Sequence, residues 1–579
     1  MGVAGFIGLH LVILLALAAT AWAAGRSALA VLRLEFKGRL EDLALSVAAG
    51  LAVLAHVLFV LAVLGVLSRW SVVAVVAVVH LQALSRWREL LRRPGWGRPW
   101  AWLVGWVALA PLFVLALYPP LAFDETLYHL PMARAFAESG GMPFVAELRV
   151  PVFPPLAELL SAAMLLLAGD VATHLVQLLA TLATAGLLVA WGQRELSATA
   201  GWLAAALFVG GPVVVHLAAT SYVEPLLALL TAAAFYCVYR FISGESRGWL
   251  IAAGFFAGSA AGVKYLGLLA VGAIGLTLFV RGGRRWRNAL VFGAAATAFL
   301  APTYLRLALL TGNPVFPLLP ELFGSTAWNP VPAGRAASPG EALSRIVTLA
   351  WDVIARRPRV GWQPPFTPWL LPALPVLALG AVRDRVVRWL AGVSALWLLA
   401  FAVLPPDVRY LLAPWPLVAL AAGLVAARWV AGRPWLAATL AVALFFPGWL
   451  YAGWRVARQG LPPSTVEARD AFLAARLALY PAISHLNRTH GKGYTLYALH
   501  AEQMSYYVQG RHFGDWVGLG SYAEVEPLLA DPPALHRALR ELGADYILVA
   551  PGRIADGPLF RRVYEDGVAE VLELPEPAP

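Results

Sequence analysis

Two adjacent carboxylates, Asp124 and Glu125, open the stretch FDETLYHLP, directly after an apolar run over 101–117. A carboxylate at a membrane surface can serve as a general base, hold a metal ion or cap a helix. Asp124 suits an N-cap for a helix starting near Thr126. Yet Tyr128 and His129 follow one turn later, on the faces of Asp124 and Glu125 respectively. Four polar groups thus converge beside the bilayer, with Asp124 and Glu125 as candidate catalytic acids and Tyr128 and His129 as candidate substrate contacts.

Lys264 is one of only three lysines and lies within FFAGSAAGVKYLGLLAVGAIG. At the bilayer centre its charge would cost roughly 2.5–3.5 kcal/mol. Read as two short helices meeting at a tip, the stretch lifts Lys264 and Tyr265 to the surface, where snorkelling to a headgroup is the plainer alternative. Arg306 in APTYLRLALLTGNPVFP and Arg409, with Tyr410, in PPDVRYLLAPWP fall on the same side. Several cations beside apolar spans suit a phosphate or pyrophosphate at the interface. Glu224 opens the span after a hairpin, either complementing the helix dipole or touching a polar substrate. Trp328, Trp351, Trp362 and Trp369 read as an interfacial belt, and His174, His216, Glu158 and Asp170 as structural. The sequence shows no metal-ligand spacing and no Gly-rich phosphate loop, so no cofactor is expected, a divalent metal being left open.

The elements that must position these groups are apolar. The chain has 579 residues, 60% hydrophobic and 13% charged, and a mean hydropathy of +0.71, a composition suited to lipid as solvent. The expected fold is a polytopic α-helical membrane protein with about fourteen spans of some 20 residues, beginning with a retained helix over 3–24 and ending at 434–452. The net charge of +11 does not imply nucleic acid, because the arginines cluster in short loops (33–42, 85–98, 240–248, 281–287 and 383–388) on one side, as the positive-inside bias predicts. That parity places 119–170, 311–365, the corner at 405–410 and everything after about 455 on the extracytoplasmic side. Loop 119–170 is expected to carry two amphipathic helices along the interface, Thr126–Ser139 and Pro155–Ala168. From Thr465 the polarity is that of an ordinary globular domain, and ALHRALRELGADYILVAPG reads as helix, Gly turn and buried strand. The expected units are extra N-terminal helices over 1–99, a core over 100–454 and a small extracytoplasmic α/β domain over 455–579. The single cysteine, Cys237, excludes an intramolecular disulfide.

The ordered set FDETLYHLP, SYVEPLLALLTAAAFYCVYR, GVKYLGLL, LLTGNPVFPL and VRYLLAPWPLVAL, spread over about 100–430, resembles the GT-C superfamily of membrane glycosyltransferases. It is most similar to glycosyltransferase family 39, with its protein O-mannosyltransferases and lipid A aminoarabinose transferases. The resemblance implies a sugar donor on a polyprenyl phosphate and inverting transfer to an acceptor hydroxyl of unknown class, at the outer face of a bacterial inner membrane. By position, Asp124 resembles the family's catalytic base with Glu125 beside it, and Lys264, Arg306 and Arg409 resemble its phosphate-binding cations. Extra spans before the core and a C-terminal domain of unassigned purpose depart from the pattern. The rival readings are a transporter or flippase, an O-antigen polymerase or ligase, and a non-enzymatic scaffold.

Overall fold

The computed structural model describes residues 2–92, 99–281, 285–330, 338–355, 363–403 and 407–575. Positions 93–98 and 282–284 of two basic loops, Trp362, and the prolines at 405 and 406 lie outside the described residues.

Apolar runs become helices because hydrocarbon tolerates only a backbone that satisfies its own hydrogen bonds. Among the described residues six helices are long and apolar enough to cross a membrane: Val3–Val31, Arg39–Val63, Val171–Glu195, Glu224–Ile242, Arg285–Thr311 and Pro434–Gln459. Ala198–Val209 and Pro212–Ala218, bent by 75°, make a seventh if counted as one span. Others of the fourteen expected spans coincide with shorter apolar helices, among them Arg69–Gln82, Leu370–Arg383 and Trp415–Trp429. By this measure the count is six or seven. The bend at 210–212 has a local cause: Pro212 brings no N–H, and Gly210 lies so close to the Leu444 carbonyl that a Cβ would sit 1.9 Å from its oxygen.

The first two helices, Val3–Val31 and Arg39–Val63, pack on each other through small residues, which let backbones approach where lipid offers no hydrophobic drive. A Cβ on Gly50 would lie 1.6 Å from the Ala21 carbonyl oxygen, and one on Gly25 1.8 Å from that of Ser46. Fully buried Arg240 ties this pair to the core, ion-paired with Glu41, donating to the Glu35 carbonyl at 2.9 Å and lying 3.9 Å over the Trp249 ring.

Loop 119–170 carries the two expected helices, but they are inserted rather than laid on the surface. A π-helical turn, Glu125–His129, leads into Leu130–Ser139, and Leu156–Ala168 is buried over its first nine residues. After the helix Pro434–Gln459 comes a five-stranded sheet: β1 (Thr495–Ala498), β2 (Arg511–Phe513), β3 (Tyr546–Val549), β4 (Arg561–Glu565) and β5 (Glu570–Glu573). The order is β2-β1-β3-β5-β4. β1 pairs in parallel with β2 and β3, and β5 runs antiparallel to β3 and β4. The helix, Gly turn and strand expected at 534–552 are the helix Pro532–Glu541, Gly543 at φ +74° and β3.

This domain clasps loop 119–170. The Tyr506 N–H donates to the Thr126 carbonyl at 2.9 Å, the Tyr507 hydroxyl to the Pro120 carbonyl at 2.6 Å, and Arg469 pairs with Asp170 at 2.5 Å.

Gly50→Leu is expected to force the first two helices apart and to cost about 2 kcal/mol or more, as overpacking of a closed interface does. Thermal unfolding of the protein in lipid nanodiscs measures it, and an unchanged midpoint would show the contact to be dispensable.

Candidate active site

Residues adjacent in a helix point in different directions, and the turn at 124–125 sends its two acids to different tasks. The Glu125 carboxylate is completely buried. It accepts from the N–H groups of Leu121 at 3.2 Å and Ala122 at 3.1 Å and of Ser221 at 2.6 Å, and it faces His174 Nε2 at 2.7 Å. Burial opposes ionisation of Glu125, but His174 and the backbone donors outweigh it and hold the carboxyl below its usual range. The expectation that Glu125 acts beside Asp124 is therefore corrected by geometry: its oxygens are spent on joining the 119–125 turn to the hairpin at 217–222. His174, expected to be structural, completes that joint through Nδ1 and the Ala116 carbonyl at 3.0 Å.

Asp124 makes no helix cap. One of its carboxylate oxygens meets Arg409 Nη1 at 2.5 Å and accepts from the Tyr128 hydroxyl at 3.2 Å, the i to i+4 pair foreseen in the sequence. Arg409 sits on a 3-10 turn, Val408–Leu412, and its Nε reaches Asp407 at 2.9 Å and Glu224 at 3.6 Å. The helix Arg247–Val263 ends at Lys264 in extended backbone, the tip expected from sequence, and Lys264 Nζ meets Glu224 at 2.5 Å. The cluster Asp124, Arg409, Asp407, Glu224 and Lys264 is framed by the Tyr222 and Tyr410 rings, with Arg409 at 5.0 Å and 5.4 Å and Lys264 at 4.9 Å from Tyr410. Within it the side chain of Glu224 has no exposure, whereas Asp124 keeps 15% and Asp407 20%. Asp124 and Asp407 are thus the acids of the cluster that an incoming molecule can touch, and Asp124 is the one paired with both Tyr128 and Arg409.

Burial would raise the Asp124 pKa, but the Arg409 charge and hydrogen bond bring it below the usual carboxylate value. Burial likewise opposes the Arg409 charge, and Asp124, Glu224 and Asp407 more than restore it. Asp407 stays above its usual value because burial outweighs Arg409 there.

His129 does not face Glu125. Its Nδ1 lies 2.7 Å from Glu158, a residue read from sequence as structural, and its Nε2 is buried without a hydrogen-bond partner. Two expected members stand apart from the cluster: Arg306 donates to the Met142 carbonyl at 2.7 Å, and the Tyr265 hydroxyl is given to the Phe316 carbonyl. Trp328, assigned to a headgroup belt, instead packs on Phe144 and donates to the Ala146 carbonyl at 3.1 Å. Sequence reasoning missed Tyr222, whose hydroxyl accepts the Asp124 N–H at 3.1 Å, and Asp407. Both lay in quoted motifs, SYVEP and PPDVRY, beside residues already chosen. Among the described residues no three His, Cys, Asp or Glu side chains are grouped to hold a metal ion.

A family model described as dolichyl-phosphate-mannose-protein mannosyltransferase matches residues 152–305, and one described as SF2091/S2213 matches residues 468–569. No curated protein matches the sequence. The crystal structure of ArnT from Cupriavidus metallidurans in the apo state aligns with a TM-score of 0.55 at 15% identity, over 82% of this chain and 97% of that one. The structure of the same protein bound to undecaprenyl phosphate aligns with a TM-score of 0.54 at 15% identity and the same coverage. The chain has the GT-C fold. The GT-C resemblance read from its motifs therefore holds for the architecture, including the C-terminal sheet domain, and the charged cluster occupies the domain-bearing end of the GT-C bundle.

Asp124 is expected to be ionised at pH 5, and Arg409→Met to leave it buried without its partner, protonated at pH 7. The depressed pKa means that its contribution to stability is present above the ordinary carboxylate value and is lost as pH falls through the folded one. Isotope-edited infrared spectroscopy of the carboxyl band measures this, and a band in Arg409→Met that stays ionised would refute the coupling. Glu125→Ala is expected to destabilise by about 3 kcal/mol or more, since it strands buried donors and His174. Asp124→Asn is expected to lose less, because Arg409 keeps Asp407 and Glu224 as partners, so equal losses in the two variants would contradict the division of roles.

Proposed function

We propose that this protein is a glycosyltransferase that moves a sugar from a polyprenyl-phosphate donor to an acceptor hydroxyl, with inversion, at the extracytoplasmic face of a bacterial inner membrane. The observation that carries this reading is the Asp124–Arg409 pair: an ionised, partly accessible carboxylate against a cation, at the end of an apolar bundle. The GT-C fold and the undecaprenyl phosphate bound to ArnT support the donor class.

The donor phosphate is a ready leaving group, so the protein must supply a base for the acceptor and positive charge for the departing oxygen. Asp124 takes the hydroxyl proton as the acceptor oxygen attacks the anomeric carbon. The bond from that carbon to the phosphate oxygen breaks, and its electron pair leaves on the phosphate, which Lys264 and Arg409 receive. Both cations are held by carboxylates beforehand, so the phosphate replaces part of that pairing and frees Asp124 to act as base. Glu224 keeps the two cations together, and Tyr128, His129, Tyr222 and Tyr410 line the space around them. Arg306 and Tyr265 have no role in this step. No cofactor enters the reaction as written.

The test is release of polyprenyl phosphate from a panel of radiolabelled polyprenyl-phosphate sugars by the protein in nanodiscs, with membrane extract as acceptor. Asp124→Asn is expected to lower release about 10²–10⁴-fold, the usual weight of a positioned base, while donor binding persists. Wild-type release by Asp124→Asn would sink the assignment.

A further inference from the structure

The C-terminal domain carries one tryptophan, Trp516, the only one after Trp454. It is 63% exposed, and Leu519 in the same loop is 44% exposed. Its loop, GDWVGLG over 514–520, is held in place. Gly514, Gly518 and Gly520 all take positive φ, at +111°, +94° and +63°, and a Cβ on Gly514 would lie 2.2 Å from the Ala498 carbonyl oxygen. The Gly518 N–H donates to the Ala327 carbonyl at 2.8 Å, which ties the loop to the membrane core.

Trp516 continues a strip that begins beside Asp124. Phe123 is 42% exposed, with the Arg149 guanidinium 5.9 Å from its ring centroid. Arg149 reaches Asp515 at 2.5 Å and Glu502 at 3.6 Å. Glu502 accepts from the Tyr522 hydroxyl at 2.7 Å, and the Tyr522 ring lies 5.6 Å from Trp516 and 4.6 Å from His500. His500 itself is held at φ +57°, a conformation a non-glycine side chain rarely adopts without a reason. Two open aromatic faces therefore alternate with fixed carboxylates and a guanidinium, leading from the domain to the proposed base.

We propose that this strip is the acceptor subsite and that the acceptor is a neutral saccharide chain. The proposal rests on the glycosyltransferase reading above and narrows its acceptor. Sugar rings present apolar C–H faces that stack on indole and phenyl rings, and hydroxyls that carboxylates and guanidinium bind in directed pairs. The carboxylates of Asp515, Glu502 and Glu526 outnumber the guanidiniums they pair with, Arg149 and, at 3.5 Å from Glu526, Arg553. That balance disfavours phosphorylated acceptors and anionic headgroups. A chain lying along the strip would deliver a terminal hydroxyl past Phe123 to Asp124.

The experiment uses the full-length protein labelled with 5-fluorotryptophan in nanodiscs, the Trp516 fluorine resonance being the one missing from Trp516→Phe. Chitotetraose, cellotetraose, maltotetraose and mannotetraose are titrated, and polyprenyl-phosphate-sugar binding and release are measured in the same samples. The expected result is a saturable shift of the Trp516 resonance with at least one tetrasaccharide, whose affinity falls about five- to tenfold in Trp516→Ala, the loss of one aromatic face, with donor binding unchanged. A resonance that no tetrasaccharide moves, or one broadened by a spin-labelled lipid, which would assign Trp516 to the membrane surface, overturns the proposal. Donor release that depends on Asp124 while Trp516 stays silent refutes the subsite alone. Tetrasaccharide binding without any donor turnover refutes the glycosyltransferase reading and keeps the saccharide site.

Discussion

Five charges held together at the end of an apolar bundle govern the arrangement of everything around them. Removing an ion from water costs several kcal/mol even after the protein relaxes, and only close reciprocal pairing with satisfied geometry offsets that. Asp124, Arg409, Asp407, Glu224 and Lys264 meet this condition only together. Arg409 alone touches three carboxylates, and Glu224 is shared by both cations. The four chain segments that carry them must therefore converge: the turn after the run at 101–117, the start of the helix Glu224–Ile242, the tip at 264 and the 3-10 turn at 408. Moving any one of them would strand a charge in the others' low-dielectric surroundings.

The two neighbouring acids show how one short motif can serve both construction and chemistry. Glu125 has all its hydrogen-bonding capacity directed inward, to Leu121, Ala122, Ser221 and His174. Because that joint is rigid, Asp124 is presented with its carboxylate toward Arg409 and the open side. Tyr222 strengthens the link, its hydroxyl accepting the Asp124 N–H while its ring lies beside Arg409.

Much of this was legible in the sequence, because the features involved are local. Apolar runs of membrane length, the Lys264 tip, the Asp124–Tyr128 spacing and the helix-turn-strand of the C-terminal domain each depend on a few consecutive residues. The span count was less legible, since an apolar run does not say whether its helix is long enough to cross, as at 210–212, where a Gly-Gly-Pro break bends one run into two pieces. Partner choice was illegible for a different reason. Glu125 finds His174 and Ser221, and His129 finds Glu158, across separations of 29 to 96 residues, and helical periodicity speaks only of neighbours one turn away. Arg306 shows the converse: grouped with Lys264 and Arg409 by its place between apolar spans, it bonds instead to the Met142 carbonyl, apart from their cluster.

The hydrogen bond from the Tyr506 N–H to the Thr126 carbonyl joins backbone to backbone between the C-terminal domain and the turn that carries both acids. Side-chain contacts can be re-formed with other partners, but this one fixes main chain on both sides, two residues from Asp124. The domain and the helical core are thus not separable modules that recombination could exchange freely. The functional turn is itself the seam between them, so any inheritance of this domain by another bundle would have to carry the turn along with it.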